Sequence, residues 1–386
     1  MTPRKIIFCD NGLDQLLNFR GPVFRHFARQ GVEVLLVAPP TCRYTPELPN
    51  IRYIPVPLDR SDTNPMSNLA YFFRLRKIYR REKPDIVFHY TIKPNIWGTL
   101  AARLTGCRSV AMVAGLGYVF SGKGIGKRLV RRLYKFGLRR ADRVLVLNRP
   151  NLEKLVDERF VHPDRAVLLP GGEGVDLSRF PHVENRFESV RFLMIARVLY
   201  DKGYSEYVAA SEIVRRRYPE LEFGLLGPLD DGPMGVPRSE VEQDATAGKI
   251  VYYGETDDVP AYLSRDGVVL VLCSSYNEGL NRSLMEACAM GRPCITTDMP
   301  GCRETVDDGV NGYLVPKQNA GALADAILRF LALPQSEKRR MARESRRIAE
   351  ERFGVEKAIA GYDRIIQSLQ FAGSRRAPSR QSHGES

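Results

Sequence analysis

From one end of the chain to the other, short runs of aliphatic and β-branched residues alternate with longer stretches in which apolar positions recur every three or four residues. This is the pattern of stacked βαβ units around parallel sheets. In the first half it predicts strands over 5–9, 32–38, 85–89, 109–113, 143–147 and 166–169, with helices over 13–30, 66–82, 95–105 and about 127–140. The second half restarts with a strand over 190–196, a helix over 204–218 and strands over 221–226, 250–253, 268–273 and 293–297. A short helix opens after Asn277, and further helices follow over 320–331, 337–352 and 355–370. Residues 176–189 are polar, contain Pro181 and suit a linker, which divides the chain into α/β domains over 1–180 and 181–354. The stretch 371–386 is too polar to pack and is expected to be a disordered tail. Two open α/β domains in tandem place ligands beyond their strand C-termini, in the cleft between them.

Composition adds little to this picture, and charge adds more. With 386 residues, 44% of them hydrophobic, the chain can bury two cores. Its longest apolar runs, such as 268–273, are too short to cross a bilayer, and only 6–9 separate Lys5 from Asp10, so no signal-peptide core is expected. Seven cysteines without a CxxC pair point to reduced thiols and a cytoplasmic setting. Residues 1–180 hold 31 Lys and Arg against 15 Asp and Glu, whereas residues 181–386 hold 27 against 30. The basic excess therefore belongs to the first half, and a polyanion partner is expected there: nucleic acid, an anionic membrane or a phosphorylated substrate.

Two constellations in the second half carry candidate chemistry. Arg197 ends a strand and Lys202 stands five residues on, just before a helix, which is a ready diphosphate site. Further along, Glu278 sits in a glycine-containing turn and Glu286 follows inside the helix that the turn opens. Gly279 permits close backbone approach to a ligand, and the amides of Leu280 and Asn281 stand at the helix start. Eight helical residues rise roughly 12 Å, so the two carboxylates can hold opposite ends of one elongated polyol such as a nucleotide-sugar. The plain alternatives are a pair of solvated cations, a capping carboxylate and a surface glutamate. The adjacent acids Asp230-Asp231 and Asp307-Asp308 both precede Gly, as in surface turns, and no metal-ligand cluster stands out.

Arg197…Lys202, followed by Glu278-x7-Glu286 and the run GRPCITTDMPGCRETVDDGVNGYLVP, resembles the GT-B glycosyltransferases of family 4 over nearly the whole chain. The resemblance implies two Rossmann-like domains facing a central cleft, with the last helix, 355–370, crossing back to the first domain. It also implies a retaining transfer without metal or other cofactor, using a UDP-sugar donor. By resemblance Arg197 and Lys202 neutralise the donor diphosphate, Glu278 contacts the transferred sugar, Glu286 binds the ribose, and Gly254, Glu255 and Thr256 flank the nucleobase. His89, at the end of a first-domain strand, matches a histidine common in the family; a buried structural role is the alternative.

In the first half Asn18-Phe19-Arg20, HYTIKPN from His89 and AGLGYVF from Ala114 resemble enzymes that extend polyprenyl-diphosphate-linked sugars in bacterial glycan assembly. This implies a lipid-linked saccharide acceptor and an N-acetylhexosamine donor, with Arg20 and Lys93 as candidate acceptor contacts. The stretch 123–140 holds eight basic residues, Lys127, Arg128, Arg131, Arg132 and Lys135 among them, and no acid. Its apolar positions 125, 129, 133 and 136 fall at helical spacing, the pattern of a helix lying on an anionic leaflet, unless that stripe faces the core. Aromatic residues are not interleaved for base stacking, so no nucleic acid partner is expected. The rival readings are a UDP-sugar 2-epimerase-like enzyme and a non-catalytic sugar-nucleotide-binding subunit. The first domain's basic, lipid-suited surface and the presence of all four charged residues argue against them.

Overall fold

The computed structural model describes residues 3–40, 46–59, 62, 64–120 and 125–374. Seven parallel strands form the first sheet: β1 (Lys5–Cys9), β2 (Glu33–Ala38), β3 (Ile51–Pro55), β4 (Ile86–Tyr90), β5 (Arg108–Val113), β6 (Arg143–Val146) and β7 (Ala166–Leu168). They lie in the order β3-β2-β1-β4-β5-β6-β7. Six parallel strands form the second: β8 (Arg191–Ile195), β9 (Glu222–Leu226), β10 (Val251–Gly254), β11 (Val268–Leu272), β12 (Cys294–Thr297) and β13 (Gly312–Val315), in the order β10-β9-β8-β11-β12-β13. Both are doubly wound, with helices on both faces. The strand order reverses between β1 and β4 in one sheet and between β8 and β11 in the other, and ligands bind at such switch points.

Strands β1, β4, β8 and β11 sit centrally, and almost every residue in them is buried, as expected where helices cover both faces. The expected elements are found with shifts of up to four residues at their ends, and several regions differ. Strands β3 and β13 and the helices Arg149–Asp157, Arg238–Thr246 and Val259–Leu263 are additional. The helix expected over 95–105 begins as a π-helical turn, Pro94–Gly98. The segment 176–189 is no free tether: Phe180 and Phe187 join the second core, and Asn185 donates to Val268 O and accepts from Gly267 N.

The chain returns to the first half at its end. Val175 and Gly354 form a bridge, and the helix Val355–Ser374 then places Tyr362, Ile365, Ile366 and Leu369 in the first core beside helix Leu13–Arg29. Tyr362 Oη lies 2.9 Å from Tyr90 Oη at the end of β4. This helix extends to Ser374, so the expected tail begins later; residues 375–386 lie outside the described residues, as does Lys123. Among the described residues no helix is long and apolar enough to cross a membrane. The six described cysteines are free thiols.

Candidate active site

The two loops that leave β8 and β11 are neighbours because those strands are neighbours. They bring together residues 76 positions apart: Lys202 Nζ donates to Glu278 Oε1 in a direct ion pair. Each of these side chains keeps 14% of its surface exposed. Ser274 Oγ (3.2 Å) and Asn281 Nδ2 (3.3 Å) donate to the same carboxylate oxygen. Burial works against the charge on Lys202, but Glu278 outweighs it and holds the ammonium above its ordinary pKa. Gly203 follows with φ +90°, and a Cβ there would stand 2.4 Å from Cys273 O, so only glycine lets the lysine turn pass so close to β11.

The Glu278 turn is held from the other half of the molecule. Gly115, in the glycine-rich loop after β5, forms an antiparallel bridge with Glu278, and Gly117 N donates to Asn277 O. Asn148 and Asn151, at the start of the helix after β6, donate their side-chain amides to Glu278 O at 3.0 and 2.9 Å. Neither asparagine stood out in the sequence. Asn148 carries a cap signature, Asn-x-Pro, and does cap its helix through Asn151 N, but its second contact is tertiary. Asp201 was also missed: its carboxyl is half-buried near Lys202, Glu278 and Arg197, and burial raises its pKa.

Glu286 lies one helical turn from Arg282, whose Nε donates to Glu286 Oε1 at 2.7 Å. Burial raises the Glu286 pKa, against the pull of Arg282 and Arg179. The helix start is not as open as expected. Asn281 N donates to Gly301 O, and its side chain accepts from Leu284 N and Ser283 Oγ as a helix cap. Leu280 packs against both cores and over Gly172.

Arg197 is ion-paired with Asp230 at 2.8 Å, more than half of its side chain exposed, with Lys202 and Asp201 in its field. Beside it, beyond the C-terminal ends of β9 and β10, a cavity of about 630 Å³ is lined by Pro228, Leu229, Asp230, Arg238, Tyr252, Gly254 and Glu255, among others. Thr256 instead accepts from Asp258 N. Cation, cavity and ion pair thus follow the strand ends across the sheet. Among the described residues no group of three or more His, Cys, Asp and Glu is placed to hold a metal ion.

Three first-half residues are not where the sequence put them. His89 does not reach the cleft: it is fully buried, bonded to Tyr79 Oη (3.1 Å) and Ser109 Oγ (3.2 Å), and Gly98 is bare so that its ring fits. Burial lowers its pKa to about 3, so it is a neutral core histidine and unfit as an acid or base near neutrality. Arg20 is buried between Glu173 and Asp10 with its guanidinium 4.4 Å from the Tyr90 ring centroid, so it holds loops rather than an acceptor. Lys93 donates to the carbonyls of Asp59 and Asp62, and burial lowers its pKa.

The His89 assignment makes a stability prediction. Its pKa is depressed in the folded chain, so between about 6.5 and about 3 the unfolded chain binds the extra proton. Stability should therefore fall as the pH is lowered through that window. His89→Asn should flatten this limb in melting curves and leave the pH profile of transfer unmoved; a moved activity profile would return His89 to the site.

Two doubly wound parallel domains, with a lysine–glutamate pair where their strand ends face each other, have the GT-B architecture. Residues 180–348 match the family described as Glycosyl transferases group 1, and residues 22–172 match the Glycosyl transferase 4-like domain. The chain belongs to the glycosyltransferases built from these two domains, as the residues had suggested. It is 25% identical over 390 residues to the N,N'-diacetylbacillosaminyl-diphospho-undecaprenol alpha-1,3-N-acetylgalactosaminyltransferase of Campylobacter jejuni, covering 95% of this chain and 100% of that protein. It is 24% identical to the UDP-Gal:alpha-D-GlcNAc-diphosphoundecaprenol alpha-1,3-galactosyltransferase of Escherichia coli, over 68% of this chain and 70% of that one. The fold is shared with sucrose-phosphate synthase from Thermosynechococcus elongatus (TM-score 0.79, 20% identity, 96% of this chain and 100% of that one). It is also shared with Anabaena HepE in complex with UDP and glucose (TM-score 0.73, 16% identity, 95% and 100%).

Proposed function

We propose that this glycosyltransferase moves an N-acetylhexosamine from a UDP-sugar to a polyprenyl-diphosphate-linked saccharide, with retention of anomeric configuration. The observation that carries this is the part-buried Lys202–Glu278 pair between two doubly wound sheets, flanked by Glu286 and by the cavity beside Arg197. The nucleobase occupies that cavity along Gly254 and Glu255. Glu286 accepts from the ribose hydroxyls, and Lys202 and Arg197 meet the diphosphate. Arg197 exchanges Asp230 for phosphate when the donor arrives.

The departing UDP gains negative charge, and a fixed cation in a water-poor site stabilises it strongly. Glu278 orients both Lys202 and the transferred sugar. The leaving phosphate then takes the acceptor hydroxyl proton on the same face, so the histidine is not needed as base. The C. jejuni and E. coli relatives, named for undecaprenyl-diphosphate acceptors, support the acceptor class. A panel of UDP-GalNAc, UDP-GlcNAc and UDP-Gal against soluble and short-chain polyprenyl-diphosphate-sugar acceptors, run in EDTA, tests the assignment. Turnover is expected with a lipid-diphosphate acceptor and without added metal. Turnover of soluble acceptors alone, or strict Mg²⁺ dependence, contradicts it.

The lipid end of the acceptor calls for a membrane face, and one layer of first-half helices supplies it. On helix Ile125–Leu138 the core takes Tyr134 and Leu138, and Gly137 lies against the backbone of Asn95 and Ile96, which fixes the helix rotation. Leu129 and Phe136 are left exposed on the same side as Arg128 and Arg132. Lys135 bonds Glu158 O, Arg131 pairs with Glu158, and Lys127 also has a partner within the chain, so these three are less free than expected. The same layer includes helix Pro65–Glu82, with Met66, Leu69 and Phe73 exposed ahead of Lys77, Arg80 and Arg81.

Helices of βαβ units start at the sheet edge where the strands end, so Met66, Leu69 and Leu129 stand toward the cleft. At roughly 1 kcal/mol per basic residue near an anionic surface, four such residues suffice to localise the domain. Arg128→Glu with Arg132→Glu should weaken sedimentation with anionic liposomes about ten-fold or more, and Phe73→Ser should weaken it further, with UDP-sugar affinity intact. Unchanged sedimentation in both would remove this face.

A further inference from the structure

We infer that Arg282 is a positioning residue of the donor site: it fixes the Glu286 carboxylate and ties it to the loop joining the two halves. This rests on the reading that Glu286 receives the donor ribose. One planar group touches three elements. Nε donates to Glu286 Oε1 at 2.7 Å, Nη1 donates to Gly174 O at 2.8 Å, and the guanidinium carbon stands 5.6 Å from the Phe19 ring centroid on helix Leu13–Arg29. Gly174 belongs to the turn 171–174, where Gly171, Gly172 and Gly174 all have positive φ and pack against Arg352–Val355 and Leu280.

The chain of contacts continues past that turn. Glu173 pairs with buried Arg20, and Arg20 reaches Asp10 at the end of β1. A polar path therefore runs from Glu286 in the second half, through Arg282 and the turn, to the switch point of the first sheet. The guanidinium makes both contacts from two rigidly spaced nitrogens, a geometry that the single ammonium of a lysine does not reproduce.

The second consequence concerns charge. Glu286 is buried, which favours its neutral form, and Arg282 and Arg179 are the cations that oppose this. From the helices packed against this one, Arg346 donates to Ala289 O and Glu350, and Arg352 pairs with Asp307, so neither is directed at Glu286. Arg282 thus opposes the neutralisation that burial favours, on the side of the ionised form, which accepts from two hydroxyls.

Calorimetric titration with UDP-N-acetylgalactosamine from pH 5.5 to 8 distinguishes this role from a structural one, because the diphosphate of a UDP-sugar does not titrate in that range. Arg282→Ala should weaken binding roughly ten-fold at neutral pH, the size of one charge-assisted hydrogen bond. Its acid limb, where affinity falls as Glu286 takes up a proton, should move to higher pH. Arg282→Lys should restore the acid limb, because it retains the charge, yet lower kcat more than it raises the donor KM, because the tie to Gly174 is lost. A pH profile in Arg282→Ala parallel to wild type, whether affinity is unchanged or uniformly reduced with the melting temperature, overturns the inference while leaving the donor site standing. Absence of binding by the wild-type chain at every pH overturns the donor site itself.

Discussion

Lys202→Ala is expected to lower sugar transfer by about two to three orders of magnitude, the usual cost of removing one preorganised group that stabilises a developing anion. The loss should fall mainly on kcat, because charge builds on the leaving diphosphate in the transition state and Lys202 is already fixed beside Glu278 before the donor arrives. The chain should stay folded, since both side chains retain exposed surface and Glu278 keeps Ser274 and Asn281 as donors. Lys202 and Glu278 act as one unit, so Lys202→Ala with Glu278→Ala should be little worse than either alone. Transfer rates of the single variants near wild type, in protein shown folded by circular dichroism, would remove the pair from the mechanism.

Gly279→Ala should be nearly as damaging for a different reason. A Cβ at this position would stand 2.0 Å from Ala114 O and 2.8 Å from Leu147 Cδ1, both in the first half of the chain. Backbone atoms cannot yield by that much locally, so the methyl group must push the Glu278 turn away from the loop after β5. A displacement near 1 Å at reacting groups costs about a hundred-fold in rate. Donor binding uses second-half residues and should change only a few-fold. Gly115→Ala, whose Cβ would meet Asn277 O at 2.9 Å, should give the same kind of loss in milder form. Steady-state kinetics of both variants beside calorimetry with the donor measure this split; a loss of donor affinity with normal kcat would show that the contact serves binding instead.

Much of this was legible from residue pattern because parallel sheets impose simple rules. Apolar runs mark the buried strands, and chemistry-bearing residues just after a strand lie at the cleft. Lys202 and Glu278 follow that rule, and adjacency of β8 and β11 does the rest. His89 shows where the rule stops. In a strand buried on both faces, IVFHY, no alternation marks which side chain points at a helix and which toward the cleft end.

Arg20 was readable in hindsight: it falls on the helix face of Leu13, Leu16, Val23, Phe24 and Phe27, so its burial follows from helical spacing. Arg282 is likewise four residues before Glu286, the spacing of a helical ion pair, but its reach to Gly174 needs the tertiary fold. The basic helix has apolar residues around too much of its circumference for spacing alone to choose the core side. Gly137 against Asn95 and Ile96 makes that choice.

Product analysis tests the central claim most directly. Labelled UDP-N-acetylgalactosamine is incubated in EDTA with a short-chain polyprenyl-diphosphate-sugar, and the lipid product is examined by proton NMR. The Lys202–Glu278 site predicts label in the lipid with an α-anomeric coupling, and its loss in Lys202→Ala. Label released only as free sugar, or a β-linked lipid product, would contradict the account.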